Sequence, residues 1–339
     1  MPYRRPTIID VASLSGVSKA TVSNVVRGKG SVSPATRTRV LTAIETLGYR
    51  PNASARSLVR QRTDVLGLVA GNLGNAFEAD LLERIEQVAS ERRFTTLVCT
   101  TSRNPEDEST KVETLLEHRV AGIAMLQFSG DRQLMAQLVT EHVPVVMASC
   151  WDDHADCVAV DDAAGLELAV GHLADLGHRR IAYLTDERVE STTRRIRLEG
   201  FHRALLRHGL EFHPDWVIHG NGGQGGDQPD DFVEFFDRVG LPEAVVATND
   251  NIAITLIEQL ESRGWRVPDD VSVVGFDGSR VAGLHRIGLT TIAQPVEQLA
   301  RFTVELLLDR VAGETPSERR HVRLEPTLIV RTSTAAAAK

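Results

Sequence analysis

The residues in this 339-residue chain most able to do chemistry are polar side chains that follow short apolar runs. Asn72, Phe77 and Glu78 come after the run at 65–70, and Asp161 follows 158–160. Arg197 lies in TTRRIRLEGF, and Asn249 and Asp250 close VVATND. Asp277 ends VVGFD, and Gln294 ends LTTIAQ. An ionised Asp accepts paired hydroxyl hydrogens, while Arg and Asn donate to ring and hydroxyl oxygens. Such a set suits a polyhydroxylated small ligand. Taken singly, each residue reads equally well as a strand-end cap or an ion pair.

The elements that must position these residues show in the hydrophobic pattern. Apolar, strand-like runs occur at 65–70, 95–100, 122–128, 143–148, 158–160, 180–184, 217–219, 244–247 and 271–276. Amphipathic stretches lie between them. One is 80–92, with Leu81, Leu82, Ile85, Val88 and Ala89 on one side. Buried strands alternating with helices predict parallel sheets covered on both faces. Nine or more strands exceed one small sheet, so the body is expected to form two doubly wound lobes.

The first sixty residues read differently. Thr7-Ile8-Ile9-Asp10 predicts a capped helix start, with Ile8, Val11, Ala12 and Leu14 along one side. Ser15-Gly16-Val17 is a tight turn, and Ser18 is a cap for a second helix over 19–26. Ser33-Pro34 opens a third, with Val40, Leu41, Ile44 and Leu47 as its buried stripe and Gly48 at its end. Two short helices across a Gly turn, backed by a third, make a helix-turn-helix. Its second helix is built to enter the major groove.

Charge agrees. The net charge is −8, but residues 1–62 hold eleven Lys/Arg against Asp10 and Glu45, a balance of +9 that leaves −17 on the rest. A basic arm on an acidic body points to a phosphate-bearing partner for the arm alone.

The stretch DVASLSGVSKATVSNVVRGKGSVSPATRTRVLTAIETLGYRPNASARSL resembles the headpiece of the lactose/galactose repressor (LacI/GalR) family, nearly continuously over residues 7–58. The resemblance implies base-reading roles for Lys19, Ala20 and Asn24: Lys donates to guanine, Asn bridges adenine, and Ala offers only a methyl. It implies phosphate contacts for Thr7, Ser18, Thr21 and Ser33. It also implies a hinge helix starting near Asn52, running through Ala55, and forming only on DNA. Leu58 would be the wedge that opens a central base step.

For the rest, the resemblance implies a periplasmic-binding-protein-like body with chain crossovers near Asp161, Gln294 and about residue 321. Ligand would sit in the interlobe cleft at the C-terminal ends of strands. Arg197, Asn249, Asp277 and Gln294 match positions where the family holds effector. The implied organisation is a small all-α headpiece over 1–49, a hinge over 50–62, an α/β effector-binding and dimerisation body over 63–331, and a flexible tail over 332–339. One lobe takes about 63–161 and 294–320, the other about 162–293 and 321–331. Two departures stand out. Glu78 replaces a second aromatic after Phe77, and HGNGGQGGDQPDD carries no aromatic where the family often has one. Both predict a more polar pocket, open to an amine-bearing ligand.

The expected function is a ligand-responsive repressor of a carbohydrate or other small-metabolite operon. It would bind a near-palindromic operator as a homodimer, since TSTAAAAK after residue 331 shows no heptad pattern. Its partners are operator DNA, a small-molecule effector and a second copy, with no membrane.

Other classes fit poorly. The start MPYRRPTIIDVAS has no long apolar stretch, and Cys99, Cys150 and Cys157 make no C-x-x-C pair, so the reading is cytoplasmic, at the bacterial nucleoid. That and the basic arm count against a transport receptor. Gly220, Gly222 and Gly225 match a dinucleotide fingerprint, but Asp227-Gln228-Pro229-Asp230-Asp231 follows instead of an apolar helix. The eleven histidines show no metal spacing, and Ser149-Cys150-Trp151 is no nucleophile elbow. No enzyme, cofactor or metal is therefore expected. Effector identity, operator sequence, and induction versus corepression stay open.

Overall fold

The computed structural model describes residues 6–27, 30–49, 63–101, 104–126, 128, 131–185, 192–220, 232–313 and 318–337. The implied hinge residues Asn52, Ala55 and Leu58 and the glycine-rich loop after Gly220 lie outside these. Two compact units are present, Met1–Thr63 and Asp64–Lys339.

The first unit is three helices: α1 (Ile8–Ser15), α2 (Lys19–Arg27) and α3 (Pro34–Leu47). Local chemistry sets their ends. Thr7 and Asp10 form a reciprocal capping box, with the Thr7 amide donating to Asp10 Oδ2 at 2.7 Å. Ser33 accepts from the Thr36 amide ahead of Pro34. Gly16 and Gly48 close α1 and α3 with φ of 65° and 61°, a conformation that favours glycine. Val11, Val22, Val25, Val40 and Ala43 form the core.

Two stripe positions differ from expectation: Leu14 and Leu41 are 55% and 50% exposed. Three converging short helices bury a narrower stripe than each helix's own periodicity offers. Ser15, one turn after Val11, turns inward and donates its hydroxyl to the Val11 carbonyl at 2.6 Å. Ala43, one turn after Val40, takes the inner place on α3.

The second unit has two six-stranded sheets. The first lobe orders its strands β11-β5-β4-β3-β1-β2. These are β1 (Val65–Ala70), β2 (Thr95–Thr100), β3 (Ile123–Met125), β4 (Val145–Ala148), β5 (Asp156–Val160) and β11 (His321–Leu324). The second lobe orders β12-β10-β9-β8-β6-β7. Its strands are β6 (Ile181–Thr185), β7 (Val217–His219), β8 (Ala244–Ala247), β9 (Ser272–Asp277), β10 (Thr290–Ala293) and β12 (Thr327–Ile329). Every pairing is parallel except β10 with β12. The helices that frame the cleft are α4 (Ala76–Glu91) of the first lobe, and α7 (Asp162–Asp175), α8 (Thr192–Arg207) and α10 (Asp250–Ser262) of the second; α11 (Val296–Ala312) returns to the first.

The chain passes between lobes at Asp161, at Gln294-Pro295 and at residues 325–326. The third passage falls later than residue 321. Residues 321–324 pair along β5, His321 opposite Cys157 through Leu324 opposite Val160, so they belong to the first lobe and not the second. The backbone pairing available at that sheet's edge decides the matter, and four residues of modest hydrophobicity do not announce it.

The expected flexible tail is also corrected. Residues 332–337 pack on the second lobe. Ser333 Oγ accepts from the Thr290 amide at 2.8 Å and donates to the Val273 carbonyl at 2.6 Å. The Ala337 amide donates to the Leu176 carbonyl at 2.9 Å. One buried hydroxyl satisfies two backbone groups of β9 and β10. Ser333→Ala strands both, so it should cost about 1–3 kcal/mol of body stability. A lower urea midpoint of the body's unfolding transition checks this; an unchanged midpoint would mean the tail is not held.

Candidate effector cleft

Where the lobes meet, the polar residues singled out above assemble into a buried floor. Arg197 projects from α8. Its Nε donates to Asp162 Oδ1 at 2.7 Å, and its Nη1 donates to the Thr248 carbonyl. The guanidinium lies 3.9 Å from the centre of the Phe276 ring. Asp277, at the end of β9, accepts from Gln294 Nε2 at 2.8 Å. Gln294 Oε1 in turn accepts from Ser149 Oγ at 3.3 Å. Ser149 follows β4, so this relay runs from the first lobe through a crossover to the second.

Two residues of the relay have left-handed backbone: Ser149 with φ 70° and Asp277 with φ 125°. Neither is glycine, and such strain gathers at functional sites. Gly278 follows because a Cβ there would stand 2.6 Å from the Ala293 Cα.

The floor is rich in acid. Burial pushes the Asp277 carboxyl well above the usual range, and the neighbouring Asp250 pushes it further, against Arg197 and the Gln294 bond. Asp250 is itself raised by burial although Thr291 and the Ser279 amide bond it. Asp162 is raised by burial in spite of Arg197. Asp277 therefore holds its proton more readily than an exposed Asp does.

The other expected residues take supporting places. Asn249 caps α10, accepting from the Ile252 amide at 2.9 Å. Asp161 caps α7 and accepts from Arg323 at 3.3 Å. Glu78 accepts from the Gly71 and Asn72 amides, and Asn72 from the Gly74 amide, so these two shape the turn after β1. Phe77 is buried in the first lobe's core. Across the lobes, Asn251 donates to the Gly74 carbonyl at 2.9 Å, and Arg280 pairs with Asp80 and Glu83.

The sequence reading missed Ser149, Asp162, Thr248 and Phe276. It also missed Trp151, which lines two cavities beside the floor. The indole comes from the turn after β4, a place the sequence reading did not consider. Among the described residues no cluster of side chains could hold a metal ion, and no helix is long and apolar enough to cross a membrane.

On the first unit, Lys19, Ala20 and Asn24 are all exposed on α2, opposite the buried Val22 and Val25. Ser18 and Thr21 share a hydroxyl contact at 2.9 Å at the same helix start. The three candidate base readers thus share one free side of the helix.

A helix-turn-helix joined to a two-lobed body with a polar cleft defines a ligand-responsive DNA-binding regulator. Residues 7–52 match the bacterial regulatory proteins of the lacI family, and residues 170–334 match a periplasmic binding protein-like domain. An HTH-type transcriptional repressor PurR of Haemophilus influenzae (strain PittEE) is 32% identical over 338 residues, spanning 96% of this chain and 98% of its own. The solved transcriptional regulator CelR–cellobiose complex is 33% identical, with TM-score 0.71 over 97% of this chain and 100% of that one. The lac repressor dimer bound to operator and the anti-inducer ONPF gives TM-score 0.82 at 27% identity, over 98% and 100%. The chain belongs to the lacI family of bacterial regulatory proteins.

The raised Asp277 carboxyl has a stability consequence. Its folded form holds the proton more tightly than the unfolded chain does. Asp277 therefore costs nothing below its unfolded value near about 4, and costs progressively more as pH rises toward its folded value. Asp277→Asn should raise the melting temperature of the ligand-free body at pH 7, with the gain shrinking as pH falls toward 4. A gain independent of pH would contradict this.

Proposed function

We propose that this regulator represses a carbohydrate or other small-metabolite operon, binding a near-palindromic operator as a homodimer, with effector seated on the Arg197–Asp277–Gln294 floor. The observation that carries the reading is the Ser149–Gln294–Asp277 relay, which reaches across both lobes. A ligand that bonds these groups in one lobe arrangement better than in another shifts the balance between the two. Similarity to a regulator solved with cellobiose supports a saccharide effector.

In the headpiece, Lys19 and Asn24 read base edges, Ala20 packs a methyl, and Thr7, Ser18, Thr21 and Ser33 hold phosphates. Asn52, Ala55 and Leu58 form the hinge that docks in the minor groove. The setting is the bacterial cytoplasm, at the nucleoid. The +9 arm makes binding fall steeply with salt, by a slope that counts the phosphates touched.

Selection of operator sequences from a random pool, followed by binding assays, tests the reading. Lys19→Ala and Asn24→Ala should change the preferred base at single positions, by about 1–3 kcal/mol each. Uniform weakening on all sequences would make them phosphate contacts. Arg197→Ala should abolish the effector response; a retained response would remove the floor from the effector site.

A further inference from the structure

Resting on the reading of the cleft as an effector site, we propose that it carries a second sugar-ring subsite at Trp151, so that the effector is an oligosaccharide of at least two rings. The floor itself is closed in. Arg197, Asn249, Asp277 and Gln294 are all buried, and none of them lines the two cavities beside Trp151.

Two cavities lie beside Trp151. A small chamber of about 170 Å³ is bounded by Asp161, Asp162, Ile196, Trp151 and Arg323. It adjoins a cavity of about 540 Å³ that shares Trp151, Ile196 and Arg323. The link to the floor is Asp162, which lines the smaller cavity and accepts from Arg197. A pyranose with its hydroxyls fills on the order of 200 Å³ at interior packing density. The larger cavity therefore has room for a ring beyond the one that reaches the floor.

The lining has the chemistry of a saccharide subsite. Both lobes contribute: Arg132, Trp151, Asp152 and Asp153 from the first, Thr192 and Arg195 from the second. Three arginines, Arg132, Arg195 and Arg323, stand with Asp152 and Asp153, so hydroxyl groups would find both donors and acceptors. The indole is held in place. It packs against the first lobe's core, Arg323 lies over its ring at 5.4 Å, and His321 meets it edge-on at 5.9 Å. A fixed aromatic plane offers apolar area to the face of a sugar ring at little entropic cost. Because exposed Asp153, His154 and Arg195 form the outer rim, a longer chain can continue into solvent.

The test titrates the full-length protein with glucose, xylose and N-acetylglucosamine, then with cello-, malto-, xylo- and chito-oligosaccharides of two to four rings. Calorimetry gives affinities, and tryptophan fluorescence reports on Trp151, with Trp216 and Trp265 as the other emitters. In one series the two-ring member should bind at least tenfold tighter than its monomer. Trp151→Ala should lose that tenfold and leave monomer affinity within threefold. Trp151→Phe should keep the two-ring affinity and lose the fluorescence change, which separates stacking from misfolding. Equal affinity for one and two rings, or equal loss for both in Trp151→Ala, would overturn the subsite. If no saccharide binds while another metabolite releases the operator, the subsite falls and the regulatory reading stands. If no operator is found at all, it is that reading that fails.

Discussion

The cleft depends on one buried ion pair. Arg197 and Asp162 meet at 2.7 Å with side chains 8% and 2% exposed. Taking both charges out of water costs several kcal/mol per ion, which only close geometry and further bonds offset. Here the offsets are visible: the Thr248 carbonyl takes a second guanidinium hydrogen, and Phe276 lies beneath the cation. The pair also fixes backbone. Arg197 on α8 reaches Asp162 at the start of α7, and these helices approach so closely at Gly200 that a Cβ there would stand 3.0 Å from the Ala163 Cα. α7 in turn leans on Phe276 at Gly165, where a Cβ would come within 2.7 Å of the ring. Helix packing, strand end and charge are thus set together.

Around that anchor the site is tensioned. Asp162 and Asp277 both feel the Arg197 guanidinium, and Asp250, which raises Asp277, feels Arg331 instead. Two relay residues hold left-handed backbone. Backbone strain and buried carboxyls are poor for stability, and strain of this kind gathers at functional sites. Any coupling between cleft and operator is reciprocal: effector changes operator affinity by the factor with which operator changes effector affinity. The acidic body and basic arm divide the labour, since only the arm attracts phosphate.

Local rules made much of this legible. Thr7 with Asp10, and Ser33 with Pro34, mark helix starts that depend on neighbours three residues away. Asp277 and Gln294 stand at strand ends, as the apolar runs before them predict, whereas Arg197, inside α8, is singled out only by the family resemblance. What stayed hidden depends on distance along the chain or on backbone angle. Ser149 reaches Gln294 across 145 positions, and its φ of 70° leaves no mark in its residue type. Trp151 reads as one more apolar residue until the turn after β4 sets it against two cavities. Leu14 and Leu41 fit their helical periods and still face solvent, because the neighbouring helices choose which part of a stripe is covered. Residues 321–324 and 332–337 are too short to announce themselves; the edge of the first sheet holds the former, and β9, β10 and the end of α7 hold the latter.

The central claim is that the Arg197–Asp162 pair is a mutually dependent unit on which the cleft is built. A double-mutant cycle on the unfolding free energy of the body measures it directly. Asp162→Leu leaves a buried cation and Arg197→Met a buried carboxylate, and each alone should destabilise by about 3–5 kcal/mol. Together they should cost less than their sum by about 2 kcal/mol or more, since neither orphaned charge remains. Costs that add to within about 0.5 kcal/mol would show two independent side chains and contradict the account.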